Sequence, residues 1–219
     1  MQSLRISIRL RTPIVESRSP LQLDALLAAL QVSRAMKQHG EQINPRDYHH
    51  DLPLERFTSP SGQWVFKASG FTLHRDAPTF TWMHTGRIDL ATAAEHRASG
   101  WLSLRAAKPV LGGGPFKTSL YHLNLAWGEL VADCVGDKEG IESLLAECRQ
   151  VGGRRGTGFG VVDSFTVEPI PEPECKWTNR AMPEDAEGVA ESHALSIGGL
   201  RPPYWDKLLH CPVRIPVVE

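Results

Sequence analysis

The chain has 219 residues, 41% of them hydrophobic and 22% charged, the balance of an ordinary globular protein with room for one large domain or two small ones. No apolar run approaches the roughly 18 residues of a membrane span, and the alternating start MQSLRISIRLRTPIV is unlike a signal-peptide core, so no membrane partner is expected and the expected location is the cytoplasm. The net charge of −1 hides an asymmetry: residues 1–120 hold 15 Lys+Arg against 9 Asp+Glu, and residues 121–219 hold 9 against 16. A neutral total therefore leaves room for a local basic surface, with an acidic region elsewhere for protein contacts or solubility.

In chain order, Leu4, Ile6, Ile8 and Leu10 alternate with Arg5, Ser7, Arg9 and Arg11, the period of a half-buried strand with a basic outer face. Ser19-Pro20-Leu21-Gln22 reads as a helix start with Ser19 as cap. Leu23, Leu26, Leu27 and Leu30 follow at helical spacing and Gly40 is a stop signal, which predicts a helix over about 20–39. Residues 41–62 read as a loop. Trp64, Phe66 and Ala68 read as a strand.

Residues 70–118 mix short strand-like runs with turns. They carry Arg75, Arg87, Arg97, Arg105, Lys108 and Lys117 interleaved with Trp82 and Trp101, a composition that suits single-stranded nucleic acid and equally suits a hairpin with a polar face. Tyr121, Leu123, Leu125 and Trp127 alternate as a strand. Asp137 then caps a helix with the apolar face Ile141, Leu144, Leu145 and Cys148. The strand VVDSFTVEP (161–169) closes a β-α-β unit. With the first strand and helix as a matching half, the order is that of a ferredoxin-like, α+β domain. Residues 170–191 read as an acidic surface excursion, and the apolar C-terminus reads as a segment that packs back on the core. Cys134, Cys148, Cys175 and Cys211 form no C-x-x-C pair and read as free thiols; no metal or cofactor is expected.

The segment between the second helix and the last strand, VGGRRGTGFG (151–160), is the most informative. Gly152, Gly153, Gly156, Gly158 and Gly160 fill five of the nine positions 152–160. Arg154 and Arg155 sit among them. Glycine lets a backbone approach a ligand closely, and exposed N–H groups beside two guanidinium groups make a phosphate cradle. A plain helix-to-strand turn with two solvated arginines is the alternative. The loop is not a P-loop, because no Lys-Ser/Thr pair follows. It is not a Rossmann fingerprint either, because it follows a helix and opens a strand.

A helix, a glycine-rich loop with embedded basic residues and a last core strand resemble the RAMP superfamily of CRISPR-associated proteins. The amino-terminal strand ending in Pro13, the LQLDALLAAL helix (21–30) and LRPPYW (200–205) add to this. Together they are most similar to the Cas-five-type subunit, the third Csf subunit, of type IV complexes. Residues 41–118 carry no motif that takes part in the resemblance. It implies a ferredoxin-like RAMP (RRM-like) domain over 1–169, an inserted β-hairpin thumb, for which 70–118 is the candidate, and a C-terminal extension over 170–219. It implies a non-catalytic subunit that binds the 5′ handle of guide RNA, caps a filament of backbone subunits, and contacts the large subunit and target DNA near the protospacer-adjacent motif.

The candidate RNA-binding residues are the glycines of the loop with Arg154 and Arg155, the strand-face Arg5, Arg9 and Arg11, and Arg75, Arg87, Lys108 and Lys117. Some RAMP proteins cleave precursor guide RNA without metal, so a metal-independent endoribonuclease is the alternative, with His49, His50 and His122 as candidate acid–base groups. No histidine matches a catalytic motif, and no H-E-x-x-H or G-x-S-x-G sequence occurs. A protein-interaction module built on the acidic segment and the apolar C-terminus is a third reading.

Overall fold

The computed structural model describes residues 1–17, 19–40, 43–76, 78–86, 90–100, 119–189 and 192–217. Compact packing divides the chain into two units, one formed by 1–78 with 126–219 and the other by 79–125.

In the first unit, strand β1 (Gln2–Leu10) buries Leu4, Ile6, Ile8 and Leu10 and turns Arg5 and Arg9 outward, as its alternation requires. The two-residue strand β2 (Ile14–Val15) follows. Helix α1 (Leu23–His39) buries Leu23, Leu26 and Leu27 and ends at Gly40 with φ of 86°. It starts three residues later than the sequence reading placed it, and Ser19 does not cap it. The reason lies in the backbone. Gln22 pairs with Gly70, Phe71 N–H donates to Leu21 O at 2.7 Å, and Leu23 N–H donates to Ser69 O at 3.3 Å, so residues 21–22 are extended and the first helical N–H already has an acceptor. A 3-10 turn (Pro45–Tyr48) interrupts the predicted loop, and strands β3 (Arg56–Thr58) and β4 (Trp64–Phe66) form a hairpin after it. Strand β5 is Thr72–Arg75.

Among its described residues the second unit holds strand β6 (Phe80–Gly86), helix α2 (Leu90–Ala98) and all but the last residue of strand β7 (Ser119–Ala126), with β6 and β7 antiparallel from Phe80↔Leu125 to Gly86↔Ser119. Its limits differ from the 70–118 assigned to a thumb. Arg75 lies on β5 outside it, and a helix stands between the two strands, so the described part is not a plain hairpin. Trp101, Arg87, Arg105, Lys108 and Lys117 lie outside the described residues.

Back in the first unit, strand β8 (Gly128–Gly136) precedes helix α3 (Lys138–Leu145), whose Asp137 side chain accepts from Gly140 N–H at 2.9 Å. Strand β9 (Val162–Pro169) follows the glycine loop. The sequence reading took 121–127 for the strand before α3. That strand is β8, where Leu130, Ala132 and Cys134 face inward. Two alternating runs adjoin at Trp127, and one period-two pattern concealed two strands.

The main sheet has four strands in the order β5-β8-β1-β9, all antiparallel. Along the chain this is strand (β1), helix (α1), strands (β5, β8), helix (α3), strand (β9). Ile6 and Ile8 pack with Leu27, Ile141, Leu144 and Val167 in one core. The architecture is therefore mixed α and β, with antiparallel sheets and few helices among the described residues.

Residues 170–217 are part of this body rather than an excursion. Strands β10 (Met182–Pro183), β11 (His193–Gly199) and β12 (His210–Pro216) form a three-stranded sheet in the order β10-β12-β11. Val65, Met182, Val189, Leu200 and Val213 make a second small core. The acidic residues Glu172, Glu174, Glu184 and Glu187 lie outside while Arg180, Met182 and Ala186 lie inside, so average composition misdescribes the segment.

Arg180 and Asp24 are both fully buried and form an ion pair at 3.0 Å. Arg180 also donates to the carbonyls of Phe66 (2.8 Å), Ala68 (3.1 Å) and Leu200 (2.6 Å) and to Tyr204 Oη (2.6 Å). Tyr204 in turn donates to the Asp24 carboxylate at 2.8–2.9 Å. Burial opposes the charge on Arg180, but Asp24 and these hydrogen bonds hold its pKa above the usual arginine range. Arg180→Ala leaves the Asp24 carboxylate buried and unpaired. It is expected to lower the unfolding free energy by about 3–5 kcal/mol in a urea titration. Breaking the exposed Arg11–Asp163 pair with Arg11→Ala is expected to cost less than about 1 kcal/mol. Equal losses in the two variants would show that the buried network is not what anchors the C-terminal segment.

Candidate nucleic-acid interface

The glycine loop stands on a closed neck between α3 and β9. Gln150 and Val161 form a β-bridge, and Val151 N–H donates to Gly160 O at 2.8 Å. Gly160 N–H donates to Pro13 O at 2.8 Å, which ties the neck to the chain leaving β1. Thr12 Oγ1 donates to Gly158 O (2.8 Å) and accepts from Val161 N–H (2.9 Å). Gln150 Nε2 donates to Arg155 O (2.9 Å) and Phe159 O (3.4 Å), and Thr157 Oγ1 donates to Arg154 O (2.7 Å). The carbonyls of residues 154, 155, 158 and 159, which would repel an anion, are thus occupied by the loop's own frame. The N–H groups of Gly153 and Gly156 have no acceptor among the described residues.

The five glycines divide by what a side chain would meet. At Gly160, φ is +67° and a Cβ would lie 1.9 Å from Val151 O; at Gly152, φ is +79° and a Cβ would lie 2.8 Å from Ile14. Those two are required by the fold. Gly158 needs glycine for its φ of +88° alone. At Gly153 and Gly156 φ is not in the left-handed region and a Cβ meets nothing within 4 Å. Nothing in the turn itself calls for glycine at these two positions. Between them Arg154 is held in the left-handed region at φ 54°, a conformation that costs an ordinary residue about 1–2 kcal/mol.

Arg154 and Arg155 are exposed, and Arg155 is in no ion pair among the described residues. An open groove of about 730 Å³ runs beside the loop's root, lined by Arg11, Arg149, Gln150, Asp163 and Phe165 among others. Arg149 is exposed there and without an ion pair among the described residues. The sequence reading missed it because it began the loop at the first glycine. The signal was available, since Arg149 stands three positions before the glycine run.

The strand-face cations stand differently. Arg5 binds Asp133 through two bonds of 2.9 and 3.2 Å, and Asp133 also accepts from Lys176 N–H at 3.0 Å. The hydrogen bond to Asp133, then its charge, raises the Arg5 pKa. Arg9 pairs with Asp76 at 2.9 Å, Arg11 with Asp163 at 3.0 Å, and Arg75 with Glu16. Across the outer face Arg5 lies between Glu168 and Asp133, and Arg9 between Ser164 and Glu129. The face is charge-balanced, with no aromatic residue at these positions, and is not the basic platform the alternation had pointed to.

Residues 2–216 match the family described as CRISPR type IV associated protein Csf3. The chain belongs to that family. Among curated proteins none matches it. Among solved structures it is similar to a chain of the assembly titled "Cryo-EM structure of the Type III-B Cmr-beta bound to cognate target RNA", with a TM-score of 0.37 and 9% identity over 76% of this chain. The alignment spans 60% of that relative's length.

Of the three candidate histidines in this type IV CRISPR-associated chain, two are adjacent in the first unit and one belongs to the second. His122 is exposed on β7, opposite Met83. His49 and His50 follow the 3-10 turn of Pro45–Tyr48. Burial first, and then Arg46, lowers the His49 pKa; burial first, and then Arg201, His49 and Arg56, lowers that of His50. Both are therefore biased toward the neutral imidazole.

The sorting of the glycines is directly testable by thermal denaturation. Gly160→Ala is expected to lower stability by about 1–3 kcal/mol or more. Gly153→Ala and Gly156→Ala are expected to stay within about 0.5 kcal/mol of the parent chain. A large loss at Gly156 would mean that the turn itself requires glycine there.

Proposed function

We propose that this chain is a non-catalytic, guide-RNA-binding subunit of a type IV CRISPR effector complex, and that its 152–160 loop holds phosphates of the RNA 5′ handle. The observation that carries the reading is the pair Gly153 and Gly156. They flank two exposed arginines, offer N–H groups without an internal acceptor, and have no steric reason to be glycine. A backbone that must lie against a phosphate supplies that reason. Arg149, at the root of the loop, extends the same surface.

The fold supports this. The path β1-α1-β5-β8-α3-β9 with sheet order β9-β1-β8-β5 has the order expected of a ferredoxin-like domain, which supports reading the loop before β9 as the counterpart of the RAMP glycine-rich loop. In this reading the 79–125 unit is the thumb, and backbone subunits, the large subunit and target DNA are the other partners, with the large subunit met near the protospacer-adjacent motif. The chain performs no chemistry in this reading, because His122 is on β7, away in the chain from His49 and His50, and buried His49 Nδ1 has no hydrogen-bond partner among the described residues.

The test is RNA titration over a range of salt concentrations. Arg154→Ala with Arg155→Ala is expected to weaken binding of guide RNA and to flatten the salt dependence by about 1.4 in log–log slope, the loss of two single-strand phosphate contacts. Affinity and slope equal to those of the parent chain would remove the loop from the RNA site. Incubation with repeat RNA, in EDTA and separately with Mg²⁺, is expected to give no product. Cleavage abolished by His49→Ala, His50→Ala or His122→Ala would make the chain an endoribonuclease instead.

A further inference from the structure

Seven described arginines, at positions 5, 9, 11, 34, 46, 75 and 180, each meet a carboxylate. Arg56 and Arg201 do not. Their guanidinium carbons lie 4.4 and 4.5 Å from the centroid of one indole ring, that of Trp64. Among the described residues their other contacts are also neutral: Arg56 donates to His50 O at 2.5 Å and lies 5.7 Å from the Phe66 ring, and Arg201 donates to Trp64 O at 3.1 Å. His50 meets the Trp64 ring edge-on at 5.5 Å. Two cations are thereby held close together, and they repel. Burial first lowers the Arg201 pKa; Cys211 acts the other way, and Arg56 lowers it again, with no carboxylate taking part. In a chain with 25 acidic residues against 24 Lys+Arg, these two share one ring and, among the described residues, no internal anion.

The surroundings fit one class of ligand. On the Arg201 side a cleft of about 230 Å³ is walled by Leu200, Leu208, Leu209 and His210, with Gln63 at its margin. Leu208 is 91% exposed. Trp205, 72% exposed, lies nearby in sequence with Arg46 5.9 Å from its ring. Guanidinium groups stacked on indole, beside an apolar cleft, offer a charge for a phosphate and a wall for a base. An acidic protein segment would use the charges but not the cleft.

We infer that the Arg56–Trp64–Arg201 stack and its adjoining cleft form a second site for single-stranded polynucleotide, a phosphate on the two guanidinium groups and a base against Leu208 and Leu209. The site is remote from the glycine loop. That loop is tied to Pro13 beyond the C-terminal end of β1, whereas the segment leading into β3 joins the sheet at Leu54↔Gly136, beside Gln2 at the other end. β1 has nine residues, so its ends are roughly 30 Å apart. The inference rests on the reading of the chain as a nucleic-acid-binding subunit and adds a second contact to it.

The experiment titrates the full chain with labelled oligouridylate and, separately, oligothymidylate, at several salt concentrations. Arg56→Gln with Arg201→Gln is expected to weaken binding about tenfold and to reduce the salt slope by about 1.4. Equal losses in both arms assign the site to phosphate and base; loss in one arm alone narrows it to RNA or to DNA. Leu208→Glu, at a side chain too exposed to affect folding, is expected to weaken binding in the same direction and serves where the double variant does not fold. Binding equal to the parent chain in Leu208→Glu and in a folded double variant, with Arg154→Ala/Arg155→Ala still impaired on guide RNA, overturns this site and leaves the proposed function standing. If all variants bind as the parent does, the proposed function fails with it. Oligoglutamate that competes fully with the oligonucleotides, and whose binding is lost in the same variants, overturns the inference in favour of an acidic protein partner.

Discussion

The Asp24–Arg180 pair is the constraint on which the rest of the first unit depends. A carboxylate and a guanidinium, both fully removed from water, are tolerable only together. Asp24 is in the first turn of α1 and Arg180 is in the chain entering β10, so neither end of the molecule can be completed without the other. The three carbonyls that Arg180 binds, at Phe66, Ala68 and Leu200, fix the end of β4 and the entry to the LRPPYW segment at the same point. Replacing such a pair by well-packed apolar residues is often neutral for stability. Its use here is in register, because an apolar contact has no preferred partner and this one has five named ones. The constraint then passes along α1. At its far end Arg34 donates to Glu147 (2.6 Å) and Ser143 O (2.7 Å), and Lys37 pairs with Glu147 (2.8 Å), just beyond the C-terminal end of α3. The glycine loop begins five residues later. Its root is therefore braced through one helix by a salt bridge formed with the C-terminal segment.

Much of the main sheet was legible because its strands and helices carry their own periodicity. Leu4 to Leu10 specify β1, and Asp137 with Ile141, Leu144 and Leu145 specifies α3 and its cap. Other elements are set by pairing rather than by local sequence. Residues 21–22 are extended because they meet Ser69–Phe71, which no local signal announces. β8 was hidden by the alternating run before it. The acidic appearance of 170–191 concealed Arg180 because one buried arginine among surface glutamates does not change a composition. A buried charge is readable only from its partner, and this partner is 156 positions away in the sequence.

The same limit governs the candidate site. Sequence shows where arginines are and not which of them already have an anion. Arg5, Arg9 and Arg11 share one parity in the sequence, yet Arg11 lies past the end of β1 and the three carboxylates come from β8, from the residue after β5 and from β9. Arg56 and Arg201 are far apart in the chain and share no sequence motif, yet one tryptophan collects both. Positive charge left over after folding is the quantity that matters for a polyanion, since an internal ion pair must be broken before its arginine can serve a phosphate.

That criterion leaves positive charge at the two ends of β1 and little on the face between them. A polynucleotide strand lying across the sheet would pass Glu129, Asp133 and Glu168, which repel its phosphates, and among the described residues at those strand positions it would meet only the imidazole of His74 as a ring, beside Glu129. A strand held only at the two ends avoids that repulsion. With the two proposed contacts, the middle of the sheet would act as a spacer rather than as a platform, and its charge balance would keep the nucleic acid off it. This differs from domains of similar topology that display aromatic residues on the sheet and bind bases there. In the proposed reading the backbone of the loop and the stacked arginines take that part, and the sheet sets the distance between them.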